Sequence, residues 1–483
     1  MRVLEGLALA LSGATLLTSV TSQAADLPSR KSAPADYVRV CDAYGTGYYW
    51  IPGTDTCLKV GGRVRYDMSY VPAKNAVVHR STVGNGLAAG TFMSANGVDT
   101  IGDNLRASVT MDARTQTAWG TLQTAMSIRV SGLSGIMNAP PGYPNGFFAS
   151  GNGPGSGIEF AYIRFAGFTA GIAFMNSLFL RDTPLLSSSA GDGHPPFVPQ
   201  LTYTATFGSG FSATFGIEDR TRPISMTTGT LGANPFTATA ATAGPNATRL
   251  PALVGSFQVD QSWGAAKIAG VVVRNSATFG NLPLAVVGNN GKQISATGWA
   301  VTAGLRVNLP MLAAGDKFEI AAGYSVGAQE YVWSSGANGD WFDVAAFMGG
   351  FLRADRNFTI YCVNAACSIG GGEQLKVFHA MAVFTHYWTP TLRTHLYAAY
   401  SHLTPGRVGQ ATAWQEGGLS KASIWQGWAQ LVWSPVQNFN IISEVTYARL
   451  NQSLPLSVPV GLGTLAAISP NNWGARMRIV RSF

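Results

Sequence analysis

Side chains able to do chemistry are few in this chain, and only one type recurs with a regular spacing. The histidines are His79, His194, His379, His386, His395 and His402. A hydrolase needs a nucleophile beside a base that a third group orients. His386 and His395 fall near opposite ends of one predicted hairpin, and no serine or acid motif accompanies them. The run Gly288-Asn289-Asn290-Gly291-Lys292-Gln293 lacks the spacing of a phosphate loop. The glycine-rich run at 151–157 has no strand-to-helix context. No CxxC pair or His/Cys cluster is present, so neither a metal nor a cofactor is expected. What does recur is arginine inside alternating stretches: Arg63, Arg65, Arg106, Arg129, Arg164, Arg476 and Arg478. Guanidinium groups on one face of a strand can attract anions and set a local field. They can equally brace a wall through salt bridges.

The elements that would carry these arginines follow from the alternation around them. In Leu58 to Tyr70, Lys59, Arg63, Arg65 and Asp67 share one parity, while Val60, Val64, Tyr66 and Met68 share the other. Asn104 to Ala113 and Gly120 to Val130 repeat the pattern, with Arg106 and Arg129 on their polar sides. Such period-2 alternation gives a strand one apolar and one polar face. Arg164 shares parity with Tyr162 in a strand whose alternation is less regular. Only 12% of residues are charged, about half the share of a soluble domain. That excludes a disordered chain and argues against a soluble enzyme. Beyond the N-terminus no run approaches the ~18 to 20 apolar residues of a spanning helix. A transmembrane β-barrel remains, in which every second residue faces lipid. An arginine facing lipid at mid-depth would cost ~2 to 4 kcal/mol, so the arginine parity belongs to the lumen.

Candidate strands come in pairs. Seven tight links, such as Arg114–Ala118, Ala166–Phe168 and Ser434–Asn438, alternate with eight long links, such as Val71–Asp103, Met175–Pro199 and Gln329–Gly372. That arrangement requires sixteen antiparallel strands, with short periplasmic turns and long outer loops. Closure makes the first and last strands neighbours, which places the arginines on one contiguous wall. Tyr387, Trp388, Trp425, Trp428, Trp433 and Trp473 are expected near strand ends, as interfacial girdles.

Residues 1–24 read as a signal peptide: Arg2, a mostly apolar Leu4 to Leu17, and Ser22-Gln23-Ala24 as the cleavage site. Export to an oxidising compartment suits disulfides. Cys41, Cys57, Cys362 and Cys367 allow three connectivities, and the local pairs Cys41–Cys57 and Cys362–Cys367 close short loops at least entropic cost. Residues 25–57 then form a periplasmic segment with a disulfide hairpin, and 58–483 the barrel. The last segment, Asn471 to Phe483, alternates and ends in phenylalanine. That ending resembles the insertion signal read by the barrel-assembly machinery.

The segment Val40 to Asp67 closely resembles the opening signature of alphaproteobacterial general porins, the outer-membrane porins of the rhizobial and brucella type. The matching elements are Cys41–Tyr44–Gly45, Ile51–Pro52–Gly53 and Asp55–Thr56–Cys57–Leu58. Glu159–Phe160, Ala166–Gly167–Phe168 and Phe483 match as well. The resemblance implies a homotrimeric, sixteen-stranded, water-filled pore for ions and small hydrophilic solutes, sitting among outer-membrane lipid and lipopolysaccharide. It also implies that the third loop, Met175 to Pro199, folds inward as a constriction. Asp182 and Asp192 on that loop would face the arginine wall across the eyelet. With only these two carboxylates there, and a net charge of +8, the expected preference is for anions. The uncharged loop Ser131 to Gly157, with Pro140, Pro141, Tyr143, Phe147 and Phe148, suits a latch onto a neighbouring subunit. A sugar-specific channel and a barrel enzyme are the competing functions. Nucleic-acid binding is not expected, because the arginines lie inside strands.

Overall fold

The computed structural model describes residues 39–72, 76–78, 91–93, 100–133, 155–180, 184–185, 197–219, 227–230, 241–242, 250–278, 293–332, 358–362, 369–404, 406, 421–452 and 471–483. The expected signal peptide, the latch residues 140–148, Asp182, Asp192 and Cys367 lie outside these residues.

Sixteen strands form the barrel: β1 (Thr56–Tyr70), β2 (Ile101–Thr117), β3 (Gly120–Leu133), β4 (Gly155–Phe165), β5 (Phe168–Phe174), β6 (Phe197–Gly208), β7 (Phe211–Glu218) and β8 (Ala252–Gln261). The second half is β9 (Gly264–Thr278), β10 (Gln293–Asn308), β11 (Lys317–Val326), β12 (Lys376–Thr389), β13 (Leu392–Thr404), β14 (Ala422–Val436), β15 (Phe439–Gln452) and β16 (Asn471–Ser482). Each pairs antiparallel with its neighbour in sequence, and β1 pairs with both β2 and β16. The expected pairing of short and long connections holds throughout. Closure leaves no barrel edge open, which a spanning sheet requires because lipid offers backbone groups no partner.

Closure is tight where β1 meets the chain end. Gly62 and Phe483 exchange two backbone hydrogen bonds, each of 3.0 Å. A Cβ at Gly62 would lie 2.5 Å from the Ser108 carbonyl oxygen and 2.7 Å from the Phe483 ring. Glycine is therefore the residue that lets three segments meet there.

Burial is inverted relative to a soluble sheet. Val64, Tyr66, Met68, Leu105 and Val109 are exposed, while Arg65, Asp67, Ser69, Asn104 and Arg106 on the alternate positions are buried. The apolar face is outward and the polar face inward, as the alternation predicts. Aromatic residues band both ends. Trp119, Phe207, Trp263 and Trp388 project at the short-turn end. Tyr70 packs on Trp473, and Trp299 on Tyr324, at the long-loop end. Trp425 and Trp433 also project outward, but Trp428 does not: it is 3% exposed and packs inside the barrel against Tyr397. Its even position on β14 aligns it with the lumen-facing Gln426 and Gln430, so parity overrides proximity to a strand end.

Other units lie outside the barrel strands, among them a two-stranded sheet of Ala76–Val78 with Thr91–Met93 and a 3-10 turn at Gln329–Tyr331. The loops after β7 and β11 meet in a small sheet, where Thr227–Thr230 pairs in parallel with Phe358–Cys362. At the other end, residues 39–55 form a lobe that a Cys41–Cys57 disulfide joins to β1. Within it, Asp42–Tyr44 is a single 3-10 turn, and Tyr49–Trp50 pairs with the start of β1.

Candidate functional site

The third loop leaves β5 at Phe174 and enters the barrel. Its root is fixed by carboxylate and amide acceptors. The Asn176 amide N–H donates to Glu218 Oε1 at 2.8 Å, and Asn176 Nδ2 donates to Gln200 Oε1 at 2.7 Å. The loop then follows the inner wall. Lys267 Nζ on β9 donates to the Leu178 carbonyl at 3.1 Å, and Thr302 Oγ1 on β10 donates to the Ser177 carbonyl at 2.6 Å. These wall side chains satisfy backbone oxygens that would otherwise be stranded beside strands.

Apolar packing holds the next turn of the loop. Phe179 lies against β10 at Gly304, where a Cβ would fall 2.2 Å from its ring. Leu180 packs among Met381, Val383, Tyr397, Ala399 and Trp428, from β12, β13 and β14. At Leu185 the loop has reached the last strands. The Leu185 N–H donates to Glu444 Oε2 on β15 at 2.7 Å, and its carbonyl accepts from the Arg476 guanidinium on β16. The described loop therefore runs from β5 along the inner faces of β7 and β9 through β16. The expectation of an inward-folded third loop is met.

This path divides the arginines by environment. Arg476 is 2% exposed and also donates to Ser69 Oγ at 2.7 Å. Asp67, fully buried, receives both Arg65 and Arg478. Arg106 is buried and donates to Ser131 Oγ at 3.2 Å. Buried guanidiniums need such partners, because an uncompensated charge there costs several kcal/mol. Arg63, by contrast, keeps 38% of its side chain exposed while pairing with Glu159 Oε1 at 2.8 Å. Arg129 is half-buried, and Arg164 is exposed beside the Tyr162 ring, 4.4 Å from its centroid.

The irregular alternation of β4 has a physical cause. Its register against β3 shifts between Ser127 and Ile128, which pair with Phe160 and Ile158. The bulge inserts Glu159 as an extra residue and brings its carboxylate to both Arg63 and Ser127. Beyond it, Arg164 sits opposite Gln123, on the lumen side. The sequence signal for Glu159 was its place in the Glu159–Phe160 motif; its partner Arg63, 96 residues away, had no local signal. The same holds for the pairings of Asp67 with Arg478, Glu218 with Asn176 and Glu444 with Leu185, which join residues far apart in the chain.

Arg481, which breaks the outward apolar parity of β16, lies at the short-turn end and donates to the Gln437 carbonyl in the turn between β14 and β15. The described histidines are dispersed. His379 and His395 are buried in the wall against Ser401 and Thr385, and His386 faces Asp316 at a turn. Among the described residues no group of His, Cys, Asp and Glu could hold a metal ion.

A closed sixteen-stranded barrel with an inward third loop is a porin architecture, and the chain matches the porin subfamily over residues 26–466. The chain belongs to the porin family. This porin is 31% identical over 277 residues to porin Omp2b of Brucella suis, a match covering 55% of this chain and 64% of that protein. To porin Omp2a of Brucella melitensis it is 30% identical over 281 residues, covering 55% of this chain and 65% of that one. The chain thus spans just under two thirds of the length of these relatives. Among solved structures, the outer membrane channel DcaP of Acinetobacter baumannii covers 90% of this porin and 99% of its own chain, with a TM-score of 0.56 and 16% identity. That likeness is one of fold. The resemblance carried by Val40 to Asp67 is confirmed at the level of the family, and with it the outer membrane as this porin's location.

Proposed function

We propose that this porin is a general diffusion channel, a water-filled path for ions and small hydrophilic solutes. The observation that carries the reading is the course of the third loop, anchored at Glu218 and again at Glu444 and Arg476. Two anchors on distant strands hold the described part of the loop inside the barrel. The loop covers the inner wall from β7 onward, and the exposed cations lie across from it on β1, β3 and β4. Arg63, Arg129 and Arg164 are then the groups that meet permeating ions. Arg65, Arg106, Arg476 and Arg478 brace the wall and the loop. Asp182 and Asp192 supply the negative side of a transverse field, and the cationic wall gives a weak preference for anions.

Reversal potentials across a salt gradient in planar bilayers test this. A modest anion preference that falls in Arg63→Gln and Arg129→Gln is expected; clear cation selectivity of the native protein overturns it. A sugar-specific channel would need solute-accessible aromatics along the lumen. Tyr397 and Trp428 beside the loop are buried beneath Leu180, and the half-buried Phe160 and Tyr162 of β4 are engaged by each other and by Arg164, which favours the general channel. Solute-dependent block of the current would reverse that choice. An enzyme is disfavoured because the His379–Ser401 contact is buried at 4% and 1% exposure, and the half-buried His402–Ser423 contact has the Lys421 cation beside its imidazole where an orienting acid would be needed. We further infer a homotrimer latched by the loop between β3 and β4, and assembly signalled by Phe483. Heat-resistant oligomers on unboiled gels, lost when residues 134–154 are removed, are the expected result.

A further inference from the structure

The disulfide-closed lobe packs on the lumen face of the barrel, not on its rim. Cys57 belongs to the inward parity of β1 and is fully buried, as is Cys41. Tyr48, 5% exposed, reaches Asp112 on β2. Burial and that hydrogen bond push its hydroxyl up to about 12, so it stays a neutral donor. The Arg114 guanidinium lies 5.8 Å from the Tyr44 ring and 5.1 Å from the Tyr48 ring, while holding Asp112 at 2.9 Å. Lys59 Nζ donates to the Thr46 carbonyl at 3.2 Å and lies 5.7 Å from the Tyr48 ring. Tyr44 Oη donates to Gln116 Oε1 at 3.5 Å. Tyr162 on β4 is near enough to act electrostatically on both Tyr48 and Arg114.

These contacts fall on lumen-facing positions of β1 and β2 and look toward β4. β1 and β4 carry Arg63 and Arg164, and β3, between β2 and β4, carries Arg129. Lys59 precedes Arg63 by four residues, so the lobe lies about 13 Å toward the short-turn end at ~3.3 Å per residue. Lys59 and Arg164 are exposed there, and Arg114 keeps 31% of its side chain accessible. Arg114 holds Asp112, Lys59 is the cross-strand neighbour of Asp112, and Arg164 lies opposite Gln123, which donates to Asp112 at 2.8 Å. Tyr44 and Tyr48 of the lobe hold Lys59 and Arg114 by cation–π attraction, and Tyr162 of β4 holds Arg164. A lobe that served only to brace the sheet would have no need to lie across the pore's own wall with its charges open to water.

We propose that this lobe is a second filter in series with the eyelet. Lys59 and Arg114, set by Tyr44 and Tyr48, and Arg164, set by Tyr162, narrow the periplasmic mouth and favour small anions there. The Cys41–Cys57 bridge keeps the lobe seated. This rests on the channel reading above, and its test separates the two. Full-length protein is compared with Cys41→Ser/Cys57→Ser, Tyr48→Ala and Lys59→Glu, each checked for folding by heat-modifiable migration on gels. Single-channel conductance and reversal potential are read in planar bilayers, with neutral polyethylene glycol added from one side at a time. Release of the lobe is expected to raise conductance and admit larger polymer from one side only. Lys59→Glu, whose side chain is exposed, is expected to shift the reversal potential toward cations. Native channels that conduct, with Tyr48→Ala and Lys59→Glu identical to them in conductance, polymer access and selectivity, overturn the filter and leave the channel standing. Absence of any native conductance overturns the channel itself. If the double serine variant fails to assemble, the other two decide.

Discussion

At the scale of the residue, the lumen of this porin is organised by carboxylates that each serve more than one donor. Asp67 receives Arg65 and Arg478, and Glu444 receives the Leu185 amide and Gln430. In a low-dielectric setting such sharing lowers the cost of burying guanidinium groups, provided none is left over. Asp67→Asn removes the one negative charge while keeping the shape. It is expected to destabilise the folded barrel by about 3 kcal/mol, read as a shift in its urea or thermal unfolding midpoint. No measurable shift would mean that Arg65 and Arg478 are compensated elsewhere. The arginine parity was legible from local sequence. The division into buried braces and exposed cations was not, because it depends on partners such as Asp67, Ser131 and the third loop that closure and register bring to each guanidinium.

At the scale of the element, the described part of the third loop is held by apolar packing between two charged anchors. Leu180→Ala removes the side chain that fills the space between Met381, Tyr397 and Trp428. Buried leucine truncations cost about 2 to 5 kcal/mol. The expected outcome is a less stable barrel and noisier single-channel currents as the loop loosens. Quiet, native-like currents would show that the end anchors alone suffice. The turn between β10 and β11 offers a pH-dependent counterpart. Asp316 there accepts from the Tyr387 amide at 2.8 Å and faces His386 at 2.7 Å. Burial pushes its carboxyl up, but those hydrogen bonds and the imidazole charge outweigh it, and it lies below its ordinary value. A depressed carboxyl contributes stability above its unfolded value, and that contribution is lost as pH falls through the lower folded one. Asp316→Asn should therefore melt earlier than the native protein at pH 7, by on the order of 1 kcal/mol, and the gap should close on acidification. A gap of equal size in strong acid would show that the charge of Asp316 is irrelevant.

At the scale of the whole molecule, stability rests on one long-range closure. β1 and β16 pair from Arg63 with Ser482 to Tyr70 with Ala475, and nothing local rewards that contact before it forms. Gly62→Val would drive a side chain into the Ser108 carbonyl and the Phe483 ring. Loss of the folded, heat-modifiable species is expected on gels, with unassembled protein accumulating in its place. Normal assembly of that variant would mean the chain end can seat elsewhere.

The sequence by itself determined the class of this protein. Alternation with a period of two, scarce charge and paired connection lengths leave a sixteen-stranded barrel as the solution that satisfies backbone groups in lipid. Those are local properties, readable one strand at a time. A motif near Cys41 and Cys57 carried the family. Tertiary structure decided what occupies the lumen. The bulge that turns Glu159 toward Arg63, the inward seat of Trp428, the two anchors of the third loop and the lobe over Lys59 and Arg114 each join residues far apart in the chain. Their geometry is set by closure, register and packing, and no short stretch of sequence encodes any of the three.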